Sequence, residues 1–162
     1  MTVKRMDVVL TLHARDLREE DLPHCSFAGP PHHLASVRRQ LLRAVEGEVD
    51  YLAVCAEADL PIAIGGVDYA ITPGAGTLWQ LSVDPALQGC GIGTYLIGAA
   101  EERIRRRTNA AAELAVEVDN PRARALYERL GYSTYGQQTE SWEQEDGTLY
   151  STLCDLMRKR LT

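Results

Sequence analysis

Three glycines at alternate positions carry the clearest chemical signal in the sequence: Gln88-Gly89-Cys90-Gly91-Ile92-Gly93. The segment follows a β-rich run, Thr77 to Val83, and opens into a helical pattern of Ile92, Leu96, Ala99, Ala100, Arg103 and Ile104. Strand, glycine turn and helix start, in that order, suit an anion. The first amides of a helix lack intrahelical acceptors and carry partial positive charge, and a phosphate oxygen satisfies both. Glycine lets the backbone approach the anion and adopt φ > 0 where the turn needs it. Two common phosphate loops are excluded by spacing. No lysine lies in the segment, as a Walker loop requires, and a G-x-G-x-x-G/A reading puts Thr94 or Leu96 at its last position. The competing reading is a tight strand-to-helix connection with no ligand.

A second segment, Asn120-Pro121-Arg122-Ala123-Arg124-Ala125-Leu126-Tyr127-Glu128-Arg129-Leu130-Gly131-Tyr132, reads as a short capped helix. Asn120 is a good N-cap, Pro121 suits the first helical position, and Gly131 is a C-terminal stop. Ala123, Leu126, Tyr127 and Leu130 share one face. By these features alone Tyr127 is half-buried packing.

The elements that must position these segments alternate along the chain. Val8 to Leu12 is a short β-rich run, and Asp16 to Leu22 a short helix ended by Pro23. His32 to Glu46 has helical periodicity, with Gly47 as its stop. Strands follow at Tyr51 to Ala56 and Ile62 to Tyr69, with turns at Asp59-Leu60-Pro61 and Thr72 to Gly76. In Thr77 to Val83, alternation places Trp79, Leu81 and Val83 on one face and Leu78, Gln80 and Ser82 on the other. Leu114 to Val118 is a further strand, and Tyr132 to Ser141 with Tyr150 to Arg158 form a closing hairpin. This order predicts an α/β sandwich with a mixed sheet.

Gln88-x-x-Gly91-x-Gly93 resembles the acyl-CoA pyrophosphate loop of the GNAT superfamily of N-acetyltransferases, written Q/R-x-x-G-x-G/A. Leu81-Ser82-Val83-Asp84-Pro85 is similar to that family's fourth strand and its exit. The Asn120 to Tyr132 segment resembles the family pattern N-x-x-A-x-x-x-Y-x-x-x-G-F/Y, and the two motifs stand in the family's order. The resemblance runs over essentially the whole chain and implies a GNAT-type α/β sandwich, its mixed, mostly antiparallel sheet flanked by helices. It implies acetyl transfer from acetyl-CoA to a primary amine of a small molecule or peptide by direct attack, with no metal. The backbone of Leu81, Ser82 and Val83 would pair with the pantetheine arm as an added strand. Amides of Gln88, Gly89, Cys90, Gly91, Ile92, Gly93 and Thr94 would hold the pyrophosphate. Tyr127 would protonate the leaving sulfur, and Asn120 would help position the cofactor or the sulfur. A backbone N–H near Leu81 would polarise the carbonyl.

Protonated amines need a base or a water relay. Some family members carry a glutamate on the fourth strand, but this chain has Trp79, Gln80 and Ser82 there. Asp68 and Glu117 are the remaining candidates, beside a base acting through ordered water. The missing carboxylate keeps open a second class of function, a catalytically silent acyl-CoA sensor or interaction module. Trp142 and Tyr150 belong beside the acceptor or within the last hairpin.

Composition bounds the rest. The 162 residues favour one domain over 1–162. A net charge of −6 argues against a nucleic-acid backbone binder. No apolar run approaches a membrane span, and the N-terminal residues do not read as a secretory signal, so the expected location is the cytoplasm. Cys25, Cys55, Cys90 and Cys154 form no CxxC pair. His24, Cys25, His32 and His33 match no standard zinc spacing, so no metal is expected. Arg103, Arg105, Arg106 and Arg107 suit the end of a helix dipole. The acceptor is not legible, and a homodimer is compatible with such folds.

Overall fold

The apolar runs in the middle of the chain become strands, and their order sets where the sheet can open. The computed structural model describes residues 7, 9–107 and 109–162. Its strands are β1 (His13–Asp16), β2 (Val49–Cys55), β3 (Pro61–Asp68), β4 (Ala75–Val83), β5 (Ala111–Glu117), β6 (Ser133–Glu143) and β7 (Leu149–Arg160). They form one seven-stranded sheet in the order β1-β2-β3-β4-β5-β7-β6. Every neighbouring pair is antiparallel except β4 with β5. The helices are α1 (Pro31–Val45), α2 (Ile92–Arg106) and α3 (Pro121–Arg129). No helix among the described residues is long and apolar enough to cross a membrane.

Period-two alternation divides the core into two layers. Along β2, Leu52 and Val54 join α2 and α3 in one cluster with Ile92, Leu96, Ile97, Ala100 and Ile104. Tyr51, Ala53 and Cys55 join the other, where Val37 of α1 meets Leu17, Leu22 and Cys25. The expected mixed, mostly antiparallel α/β sandwich is therefore what the chain builds.

The sheet opens between β4 and β5. Their pairing is limited to Ala75 with Ala111, Gly76 with Ala112, and Thr77 with Glu113. Both strands run on past that point, β4 to Val83 and β5 to Glu117. The edge of β4 toward β5 is thus free of a ladder from Leu78 onward.

The alternation expected along β4 is overturned by a bulge. Gly66 pairs with Trp79 and Ile64 with Ser82, so β4 spends one residue more than β3. Gln80 takes the left-handed conformation, φ 54°. Trp79 therefore packs with the α1 layer, while Leu81 and Val83 pack with the α2 layer beside Leu78. Two glycines of β3 admit this step. A Cβ on Gly66 would lie 2.4 Å from the Trp79 ring, and one on Gly65 would lie 2.5 Å from Leu81 Cδ2. The Tyr51 hydroxyl donates to Gln80 Oε1 at 3.0 Å and anchors the strained residue.

Other boundaries shift for local reasons. The expected strand from Val8 to Leu12 is replaced by β1 at His13–Asp16, and residues 9–12 form no strand. Val8 itself lies outside the described residues. The short helix expected at Asp16 to Leu22 is a 3-10 turn, Glu19–His24, with Pro23 inside it. A second 3-10 turn, Ser26–Ala28, occupies the expected loop. β5 begins at Ala111, ahead of the expected Leu114, because alanines carry no strand signal and only the β4 and β7 ladders define it.

Candidate functional site

α2 is fixed in place by its buried face. Ile92, Leu96, Ile97 and Ile104 are each almost fully buried, and full burial of such a side chain stabilises by about 1.5–3 kcal/mol. Its N-terminus is therefore a rigid feature. Gly91 is the N-cap with φ 85°, and no side chain caps the helix. Gly89 is also left-handed, φ 79°. α3 differs, because Asn120 Oδ1 accepts from the Ala123 N–H at 3.1 Å and supplies its own cap. α1 also spans 15 residues without a side-chain cap, but it is the first turn of α2 that lines an open cavity.

That cavity has a volume of 590 Å³, within the ~300–1,000 Å³ range of small-molecule sites. Leu81, Ser82 and Val83 line it from the free edge of β4. Gln88, Gly89, Gly91, Ile92, Gly93 and Thr94 line it from the glycine turn and the first turn of α2. Asn120 and Tyr127 line it from α3. All the sequence-derived site residues except Cys90 thus surround one cavity. Cys90 is exposed and absent from the lining, its Sγ 3.9 Å from the Gln88 carbonyl oxygen. The Gln88 side chain is used within the turn, its Nε2 donating to the Val83 carbonyl oxygen at 3.4 Å.

Burial pushes the Tyr127 hydroxyl above its ordinary value of 10.0, so at neutral pH it is a proton donor and not a base. The ring meets Tyr132 edge-on at 6.1 Å. Its hydroxyl has no hydrogen-bond partner among the described residues.

The two carboxylates considered as bases do not line the cavity. Asp68 is buried and accepts from Arg43 Nη1 at 2.8 Å and from the Ala70 N–H at 2.8 Å. It is a structural ion pair on the α1 side. Glu117 accepts from the Tyr150 hydroxyl at 3.3 Å, and Tyr150 stacks on Trp142 at 4.8 Å within the hairpin. We expect Asp68→Asn to cost about 1–3 kcal/mol of stability through the lost charged hydrogen bonds, with CoA affinity unchanged. Chemical denaturation and calorimetry would check both; a loss of turnover without a loss of stability would restore Asp68 to the chemistry.

The histidines and cysteine considered for a metal do not form a cluster among the described residues. A different trio, His13, Cys55 and Asp59, does lie close together. There Asp59 Oδ1 is already shared by His13 Nε2 and Arg15 Nε, both at 2.8 Å, and burial pushes the Cys55 thiol up. Asp59 is thus engaged by an ion pair with Arg15. The arginines ending α2 are structural: Arg103 pairs with Asp16, Arg105 with Glu101, Arg106 with Glu102, and Arg107 with Asp50 over the Tyr69 ring.

Sequence reasoning missed Leu87, Leu96, Ile97, Arg122, Ala123, Leu126 and Arg129 as lining residues. The helical spacing of Arg122, Leu126 and Arg129 could have shown that they share a stripe. Gly93 is helical, and a Cβ there would make only ordinary contact, 3.7 Å from Leu126 and 3.8 Å from Val83. Gly93→Ala should therefore stabilise the fold by about 0.5–1 kcal/mol from helix propensity, with CoA affinity within about threefold of wild type. Thermal unfolding and calorimetry check the pair; a folded protein that no longer binds CoA would contradict this geometry.

The cradle suits coenzyme A in three respects. It has an uncapped helix start for a diphosphate, a free strand edge for an amide-bearing arm, and a tyrosine of α3 in the lining whose hydroxyl burial keeps in its protonated form. Comparison with known proteins agrees. The mycothiol acetyltransferase of Mycobacterium leprae is 43% identical over 77 residues, 44% of this chain and 24% of that protein. The mycothiol acetyltransferase of Beutenbergia cavernae is 45% identical over 58 residues, 36% of this chain and 20% of that protein. The chain thus spans no more than about a quarter of the length of these relatives. Among solved structures, the ribosomal-protein-S18-alanine N-acetyltransferase of Escherichia coli superposes with a TM-score of 0.71 at 19% identity, covering 94% of this chain and 95% of that one. The PaiA N-acetyltransferase of Thermoplasma acidophilum, solved in complex with coenzyme A, gives 0.70 at 16% identity, covering 93% and 99%. These structures share the fold. The model of the acetyltransferase (GNAT) family matches residues 13–132, from β1 through both motifs, and the chain belongs to that family.

Proposed function

We propose that this chain transfers an acetyl group from acetyl-CoA to a primary amine of a small molecule or peptide. The observation that carries this reading is one cavity lined both by a helix N-terminus without a side-chain cap and by Tyr127. Acetyl-CoA supplies an electrophilic thioester carbonyl and a thiol leaving group. The amides of residues 91–94 would hold its diphosphate, and Gly91 keeps the turn's backbone open to it. The free edge of β4 at Leu81 to Val83 would pair with the pantetheine amides. The β4 bulge interrupts the β3 ladder beside Leu81, which frees backbone donors to polarise the carbonyl. Tyr127 holds a proton where the sulfur would leave, and Asn120 lines the cavity one helical segment away.

No carboxylate, imidazole or thiol is among the described residues lining the cavity. Proton removal from the amine therefore falls to ordered water. The same observation favours the second reading, a CoA-binding sensor without turnover. Release of free CoA, followed with a thiol reagent over a panel of small and peptide amines, separates the two. The panel includes the acceptor of the mycothiol acetyltransferases that the chain resembles in part. Amine-dependent CoA release supports the transferase. Tight acetyl-CoA binding with no release over the whole panel supports the sensor.

A further inference from the structure

Among the described residues lining the cavity, Arg122 and Arg129 are the only charged ones. Both are exposed, and neither has an ion-pair partner among the described residues. Their neighbour Arg124 is engaged by Glu128 and by the buried Asp155. On other faces Arg15 pairs with Asp21, Arg43 with Asp68, and Arg107 with Asp50, whereas Arg39 and Arg160, away from the cavity, have no ion-pair partner among the described residues. Two unpaired cations at one cavity stand out in a chain of net charge −6.

Their placement is specific. Positions 122, 126 and 129 lie on one stripe of α3. Leu126 is the α3 residue facing the first turn of α2, since a Cβ on Gly93 would lie 3.7 Å from Leu126 Cδ2. The two guanidinium groups therefore flank, one helical turn to each side, the point where α3 meets the anion-binding end of α2. The glycine turn itself, from Asp84 to Thr94, contains no lysine or arginine, so the diphosphate is met by neutral amides. Coenzyme A has one more anionic group, a phosphate monoester on its ribose, carrying a charge of about −1.5 to −2 at pH 7. Guanidinium binds such a group through paired N–H donors.

We propose that Arg122 and Arg129 bind the ribose phosphate monoester of coenzyme A and make donor selection depend on it. This rests on the donor reading given above, and the test separates the two. Titration calorimetry compares CoA with dephospho-CoA, which keeps the diphosphate and the thiol arm but lacks the monoester. Wild-type protein should bind CoA roughly tenfold tighter, as a partly solvated charge-assisted contact gives. The double variant Arg122→Gln, Arg129→Gln should bring the two affinities within about twofold, by weakening CoA and leaving dephospho-CoA unchanged. Its melting temperature should match wild type, because neither side chain has an ion-pair or hydrogen-bond partner among the described residues. The salt dependence of CoA binding should flatten in the same variant. Equal affinity for the two ligands in wild-type protein would overturn the assignment and leave the donor reading standing. A tenfold preference that survives in the double variant would assign the phosphate to other residues and overturn it too. Absence of binding by either ligand would overturn the donor reading, and this inference with it.

Discussion

Gly91→Val should raise the Kd for CoA by at least about a hundredfold while the protein still folds. Gly91 is the N-cap of α2 at φ 85°, a conformation that costs a residue with a Cβ roughly 1–2 kcal/mol, and more when it is β-branched. A valine must either bear that strain or turn the peptide away. The second course carries the amides of Ile92 and Gly93 off the position where a diphosphate would accept them. Loss of charge-assisted hydrogen bonds of about 1.5–3 kcal/mol each is enough for a hundredfold effect. Apart from the adjoining residues, nothing described lies within 4 Å of the added Cβ, so packing is not what changes. The stability loss should be modest, about 2–8 °C in Tm, from the backbone strain. Gly47 provides the control. It is also left-handed, φ 78°, with no atom within 4 Å of an added Cβ, but it follows α1, and it is absent from the cavity lining. Gly47→Val should therefore cost similar stability and leave CoA binding intact. Equal loss of binding in both variants would mean that strain, and not the anion site, is being measured.

Tyr127→Phe should lower kcat by about a hundredfold or more, the size of a general-acid contribution, with the KM for acetyl-CoA within about threefold. The ring remains to pack against Tyr132. The hydroxyl has no partner to lose among the described residues, so stability should change by no more than about 0.5 kcal/mol. The direction of its pKa fixes the pH signature. Burial holds the hydroxyl above its ordinary value of 10.0, so the protonated form persists through and beyond neutrality. A fall in kcat caused by Tyr127 ionisation should thus begin only above about pH 10, and any limb nearer neutrality reports the amine or its water relay. Steady-state kinetics on an acceptor identified in the amine panel provides the check. Wild-type turnover in Tyr127→Phe would remove the proton-donor role.

The two motifs were legible because each is a local pattern with a local cause. Gln88 to Gly93 reads as a glycine turn entering a helix, and the structure puts left-handed glycines at 89 and 91. Asn120 and Gly131 read as helix ends and act as such. The bulge at Gln80 was not legible, since alternation fixes the face of a side chain only while register is unbroken. Its one trace in the sequence is the pair Gly65-Gly66 on the facing strand, which makes room for Leu81 and Trp79. The gap between β4 and β5 was equally silent, because a strand reads the same whether or not its neighbour continues beside it. Asp68 looked like a possible base because strand position says nothing about which layer holds its partner; Arg43 of α1 settles that. Arg122 and Arg129 were hidden inside a motif whose family pattern marks their positions as variable.

A crystal structure of the protein grown with coenzyme A tests the central claim most directly. The diphosphate should accept from backbone amides of residues 91–94, with the thiol arm along Leu81 to Val83 and the sulfur on the Tyr127 side of the cavity. Coenzyme A found elsewhere at saturating concentration, or a sulfur facing away from Tyr127, would contradict it.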